Sequence, residues 1–143
     1  MNFEHESDLK ISALRLLPGQ DLKQSIRQFA EDHEVEAGAV LTAVGSLSTA
    51  VLRMANQEQA TTCQQKFEIV SLVGTFSRHG VHLHMSVSNS QGKMLGGHVA
   101  DGCVVFTTVE LILGRFPALV FQREPCELSG YKELVVSSTP NNA

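Results

Sequence analysis

The stretch RHGVHLHMSVSNSQGKMLGGHVA, Arg78 to Ala100, decides how the rest of the chain is read. From Val81 to Ser88 the residues alternate, with Val81, Leu83, Met85 and Val87 apolar and His82, His84, Ser86 and Ser88 polar. Successive side chains on a strand point to opposite faces, so the alternation predicts a half-buried strand. Asn89, Ser90, Gln91 and Gly92 supply turn chemistry, and a second strand follows from about Lys93 to Ala100.

The connection length sets the register, because a slip of one residue moves every apolar side chain to the wrong face. A two-residue turn at Gln91-Gly92 sets His84 opposite Val99, polar against apolar. A three-residue loop, Ser90-Gln91-Gly92 with Gly92 left-handed, pairs Asn89 with Lys93 and sets His84 opposite His98. It gathers His82, His84 and His98 on one face and leaves Leu83, Met85, Val87, Leu95 and Val99 on the other. Cβ atoms of directly opposed residues lie about 5 Å apart, close enough for three imidazoles to meet on one ion.

Zinc accepts such a set, with a water or a carboxylate completing the shell. Glu110 and Ser86 are the candidate second-shell or interface groups, and Gly96-Gly97 would let another backbone or a ligand approach closely. The same three histidines would equally serve by hydrogen-bonding across a subunit interface or by facing solvent.

Composition bounds the answer. At 143 residues and 43% hydrophobic the chain fits one domain with a sizeable core. A formal charge of −4 and a pI near 5.8 argue against a general phosphate-binding surface, and the basic residues are scattered. With no Trp and a single Tyr there is little for a base-stacking platform. No apolar run reaches the length of a membrane span, and the charged start MNFEHESDLK is not a secretion signal, so a cytoplasmic location is expected. Cys63, Cys103 and Cys126 are far apart and odd in number, which predicts buried free thiols rather than disulfides or a CxxC site.

Residues 1–10 are expected to be flexible, 11–136 to form one domain, and 137–143 to be a disordered tail. Ile11 to Leu17 reads as a strand ended by Pro18-Gly19, with Arg15 a snorkelling edge residue or an anion contact. Asp21 offers an N-cap to a helix carrying Leu22, Ile26, Phe29, Ala30 and His33 at helical spacing. Gly38 to Met54 reads as two strands with a bend at Gly45-Ser46, and Asn56 to Gln65 as a loop. FEIVSLVGTFS, Phe67 to Ser77, alternates little, so both its faces are expected to be covered. Gly102 to Leu113 is the most strand-like run, with Glu110 its one charge, either facing water at an edge or buried with a partner. Short strands follow around Ala118 to Arg123 and Glu133 to Val136. One helix against many strands joined by short turns implies an α+β fold with a mostly antiparallel sheet.

The ordered set FEIVSLVGTFS, GVHLHMSVS, GGHVADGCVVFTTVE, FQRE and SGYKELVV resembles the plants-and-prokaryotes conserved (PPC) domain family, from about Ile11 to Val136. The resemblance implies a homotrimer. In plants the domain accompanies AT-hook segments in nuclear DNA-binding regulators, while prokaryotic members are usually stand-alone domains carrying a DNA-binding label. No Arg-Gly-Arg-Pro hook, the kind of segment that enters the minor groove, occurs in these residues. A trimer would also triple the net negative charge, which opposes phosphate binding.

Three functions follow as alternatives. One is a homotrimeric, DNA-associated or regulatory module with a histidine metal site. Another is a zinc-dependent enzyme or small-molecule-binding protein acting on a small anionic substrate, with Arg15, Arg53 or Arg78 as the anion contact. The third is a purely structural interaction domain.

Overall fold

The histidine hairpin sits at one end of a sheet that curls back on itself. The computed structural model describes residues 4–140. These contain β1 (Lys10–Leu16), α1 (Leu22–Asp32), β2 (Gly38–Arg53), β3 (Thr61–Cys63), β4 (Phe67–Ser77), β5 (Gly80–Ser88), β6 (Met94–Val99), β7 (Val104–Arg115), β8 (Leu119–Pro125) and β9 (Lys132–Ser138). All pairings are antiparallel, and the main sheet runs β1-β7-β2-β4-β5-β6, with β3 on the end of β2. The end of β2 also pairs with β6, through Leu52↔Val99 and Arg53↔His98, which closes a circuit of β2, β4, β5 and β6. The architecture is the α+β one expected.

The helix begins where its cap chemistry puts it. Asp21 accepts a hydrogen bond from the Gln24 backbone N–H at 2.9 Å, and its second carboxylate oxygen accepts from Gly102 N–H at 2.6 Å, so one side chain both caps α1 and ties it to the turn before β7. Leu22, Ile26 and Ala30 are fully buried along one stripe of α1 and meet Leu83, Met85 and Val87 of β5 in a single core. Phe76 is buried in the same core, edge-on to Phe29 with ring centroids 6.3 Å apart.

Several elements differ from expectation. Gly38 to Arg53 is one strand; the irregularity expected at Gly45-Ser46 is absorbed by bulges, the register shifting between Val40 and Thr42, Gly45 and Leu47, and Leu47 and Thr49. The polar loop contains the three-residue β3, which pairs with Ala50 to Leu52. β4 does not have both faces covered: Leu72 and Phe76 are buried, whereas Val70 and Val73 are about half exposed. Weak alternation there reflects an open sheet face that is itself apolar rather than a layer packed on each side. Only Cys103 is a buried thiol; Cys63 and Cys126 are partly exposed, and all three are free.

The chain ends are used as well. Ala118 N–H donates to Ser7 Oγ at 3.0 Å, and Ser137 and Ser138 pair with Val120 and Leu119, within the stretch assigned to a disordered tail. Residues 1–3 and 141–143 lie outside the described residues.

Packing of this kind makes the core positions costly to empty. Phe76→Ala is expected to lower unfolding free energy by about 3–5 kcal/mol, against a few tenths for Leu128→Ala at a fully exposed position. Urea titration of both variants checks this, and similar midpoints would contradict the core assignment.

Candidate functional site

The three-residue loop is present. Asn89 N–H donates to Lys93 O at 2.9 Å, Gly92 N–H to Asn89 O at 3.0 Å, and Gly92 has φ +79°, a conformation that costs a side-chain-bearing residue energy. The Asn89 carboxamide oxygen accepts from the Gln91 and Lys93 amides, both at 3.0 Å, and holds the loop shut. The register that follows is Ser88↔Met94, Ser86↔Gly96 and His84↔His98. Leu83, Met85, Val87 and Val99 face the core, and His82, His84 and His98 share the opposite face.

The rings converge. His82 and His84 are 5.0 Å apart between centroids, His82 and His98 5.3 Å, and His84 and His98 5.7 Å. Nε2 of His82 and Nε2 of His84 are 3.2 Å apart, and one nitrogen from each of the three rings lies within 4.8 Å of the others. With Zn–N bonds of about 2.0–2.1 Å, tetrahedral ligands sit about 3.3 Å apart, so the first pair has ligand spacing while the His98 nitrogen stands within 4.8 Å of both. The donor set fits a borderline-soft divalent ion, and three protein ligands leave a fourth position open.

His82 and His98 are both held towards the neutral form, by burial first and by nearby cations second. Burial pushes the His98 imidazole down to about 4, with Arg53 and Lys23 adding repulsion against its protonated form. His82 is lowered too, by burial first and by Arg123 second. Neutral imidazoles keep their lone pairs available at neutral pH.

Gly97 is the residue that lets β6 come this close to β2. A Cβ built there would lie 2.7 Å from Arg53 O, nearer than real contacts allow. Its absence permits the Arg53↔His98 pairing. A cavity of about 510 Å³ opens beside His82 and His98, which line it with Arg53 and Val81. Its wall comes from the β8–β9 hairpin: Arg123 from β8, and Tyr131, Lys132 and Glu133 at the start of β9. Arg123 donates to Thr75 Oγ1 at 3.0 Å, across from His82, and Ser77 Oγ donates to Phe121 O at 2.7 Å, so the hairpin is fastened to β4.

Of the other candidate residues, only Arg53 is at this cavity. Arg78 is 3.9 Å from Glu34 and 3.6 Å from Glu36, while Arg15 donates to Thr108 Oγ1 at 3.0 Å on edge strand β1. Glu110 is exposed on β7, opposite Arg15 and Val44, with β2 and β4 between it and β5 along the sheet. Ser86 Oγ is 2.8 Å from Ser71 Oγ rather than bonded to a histidine, and Gly96 packs against the Met85 carbonyl. The hairpin wall carries no periodic signal, yet its residues stand inside FQRE and SGYKELVV, two segments that carry the family resemblance.

The family profile of the Plants and Prokaryotes Conserved (PCC, also written PPC) domain matches residues 3–117. The chain belongs to this family. Among curated relatives of the PCC domain here is a bifunctional protein GlmU from a Synechococcus strain, 44% identical over 136 residues, which cover 92% of this chain and 22% of that protein. Another is the AT-hook motif nuclear-localized protein 10 of Arabidopsis thaliana, 33% identical over 113 residues, 72% of this chain and 32% of that one. The chain thus spans about a fifth to a third of the curated relatives it matches. A hypothetical protein from Salmonella superposes with a TM-score of 0.92 at 44% identity, covering 95% of this chain and 99% of the other. A metal-containing protein from Archaeoglobus fulgidus does so at 0.78 and 26% identity, covering 94% and 99%.

A pH dependence follows from the depressed His98. In metal-free protein the unfolded imidazole takes a proton near its ordinary 6.5 and the folded one only near 4. Between these values the unfolded state binds more protons, so stability rises with pH across the window and levels off above it. Denaturant midpoints at about pH 5 and about pH 7 should differ less in His98→Ala than in the parent protein; an unchanged difference would remove His98 as the source.

Proposed function

We propose that this PCC domain is a zinc-binding, self-associating regulatory module that assembles as a homotrimer. The observation that carries the metal reading is the convergence of His82, His84 and His98, with two Nε2 atoms 3.2 Å apart. The likeness to a metal-containing protein of the same fold supports it. Self-association is supported by the open face of the sheet, where Val44 and Val73 are exposed by more than half and Phe106 by more than a third. Apolar groups grouped on one sheet face are what a subunit contact covers. Among the described residues no helix is long and apolar enough to cross a membrane.

A part in DNA-associated regulation comes from the likeness to the AT-hook motif nuclear-localized proteins. We place it in self-assembly rather than in phosphate contact, since 11 Lys and Arg stand against 15 Asp and Glu. A second reading, a metal-dependent enzyme on a small anionic substrate, draws on the cavity that Arg53 and Arg123 line together with His82 and His98. The fourth coordination position is where such an enzyme would activate a water.

Tag-free protein should bind zinc at one ion per chain, read by elemental analysis. His82→Ala, His84→Ala and His98→Ala should each lose at least about a hundredfold in affinity, the upper end of the cost of losing even an outer-shell partner. Circular dichroism should show them folded, and unchanged zinc affinity would end the metal reading. Sedimentation should give a trimer for the parent protein and a smaller species for Val73→Glu. No DNA mobility shift is expected for these residues even at low salt.

A further inference from the structure

The wall of the histidine cavity has a charge that a metal site alone does not call for. In a chain of net charge −4, two guanidinium groups line the cavity together with His82 and His98. Arg53 is the register partner of His98, and Arg123 reaches Thr75, the register partner of His82. Lys132 adds a third cation to the wall and Glu133 offsets one. A divalent ion held by the three histidines would face two arginines and a lysine against a single carboxylate. None of the chain's carboxylates joins the three rings as a fourth donor among the described residues. Cations placed around a cation are unfavourable unless an anion completes the set.

We infer that the cavity takes a small-molecule carboxylate, one oxygen of which fills the metal's open position while Arg53 and Arg123 hold its charge from two sides. This rests on the metal reading above and names the ligand class of that same site. Planar guanidinium forks match the two oxygens of a carboxylate. Among the described residues neither arginine pairs with a carboxylate: Arg53 donates to the Gln57 carbonyl at 3.3 Å and lies 6.0 Å from the centre of the Tyr131 ring, and Arg123 donates to the Thr75 hydroxyl. Val81 and the Tyr131 ring give the organic remainder an apolar surface, and about 510 Å³ suits a metabolite-sized molecule. Phosphate is the poorer match. α1 does not contribute to the cavity, so the helix N-terminus that commonly receives phosphate is missing from it.

The two occupants must then strengthen each other. Binding free energies are reciprocal, so a carboxylate that prefers the loaded site raises metal affinity by the same factor that the metal raises its own.

The experiment uses the cobalt(II)-substituted full chain, whose visible absorption reports a new ligand on the metal. Malonate should change that spectrum saturably, malonamide should not, and inorganic phosphate should act more weakly than malonate. Arg53→Gln and Arg123→Gln should keep the cobalt stoichiometry and weaken malonate binding by about tenfold to a hundredfold, the usual size of a charged hydrogen bond. Should Arg123→Gln unfold because its side chain also fastens the hairpin, Arg53→Gln and Lys132→Gln carry the test. Failure to bind cobalt would sink the metal reading and this inference with it. Cobalt bound in full with no response to malonate, or with the same response in the arginine variants, would overturn the carboxylate site alone. A stronger response to phosphate would overturn the ligand class.

Discussion

The close approach of β6 to the end of β2 is the contact on which the site depends. It exists because Gly97 has no side chain to collide with the Arg53 carbonyl. That approach turns a hairpin bearing histidines into a closed circuit of strands and sets a guanidinium beside an imidazole. Without it, β5 and β6 would form an edge hairpin whose polar face looks only at water. With it, His98 loses enough solvent for its proton affinity to fall.

Two constraints of different kinds therefore meet at one place. The loop from Ser90 to Gly92 is local: its length and its left-handed glycine fix which residues oppose one another. The β2–β6 pairing is long-range, joining residues 45 or so apart, and is held by the core on which both strands rest, Leu52 against Val99. The β8–β9 hairpin adds a third constraint. It forms a small sheet of its own and is tied to the main one through Ser77 and Thr75 of β4 and to the α1–β2 connection through Glu36. Through those few bonds it supplies most of the cavity's charge.

The two faces of the main sheet do different work. Towards α1 it is a conventional core, with Leu83, Leu111 and Leu113 fully buried. The other face mixes apolar groups, Val44 and Val73 among them, with the histidines. Such a face gains by being covered, and a subunit contact there would also shield the histidine site from bulk water. Assembly and ligand chemistry would then be coupled by geometry, since they share strands β4 and β5.

The sequence by itself determined a good deal. Period-two alternation and an odd-length connection place three histidines on one side of a sheet, because side-chain direction along a strand is a matter of parity. Asp21, two turns of apolar spacing and the turn residues likewise located α1 and most strand boundaries. Parity says nothing about which distant strand lies alongside, so the neighbours of the histidines were decided only in three dimensions. Arg123, Tyr131 and Lys132 reach the cavity through a hairpin more than 40 residues away in the chain from His82, docked by hydrogen bonds that leave no periodic trace. The same limit explains Glu110 and Arg78: a lone charge in an apolar run marks the first as a special position, but only the strand order sets it on β7 opposite Arg15, and only the tertiary fold brings the second, in the turn between β4 and β5, beside Glu34 and Glu36.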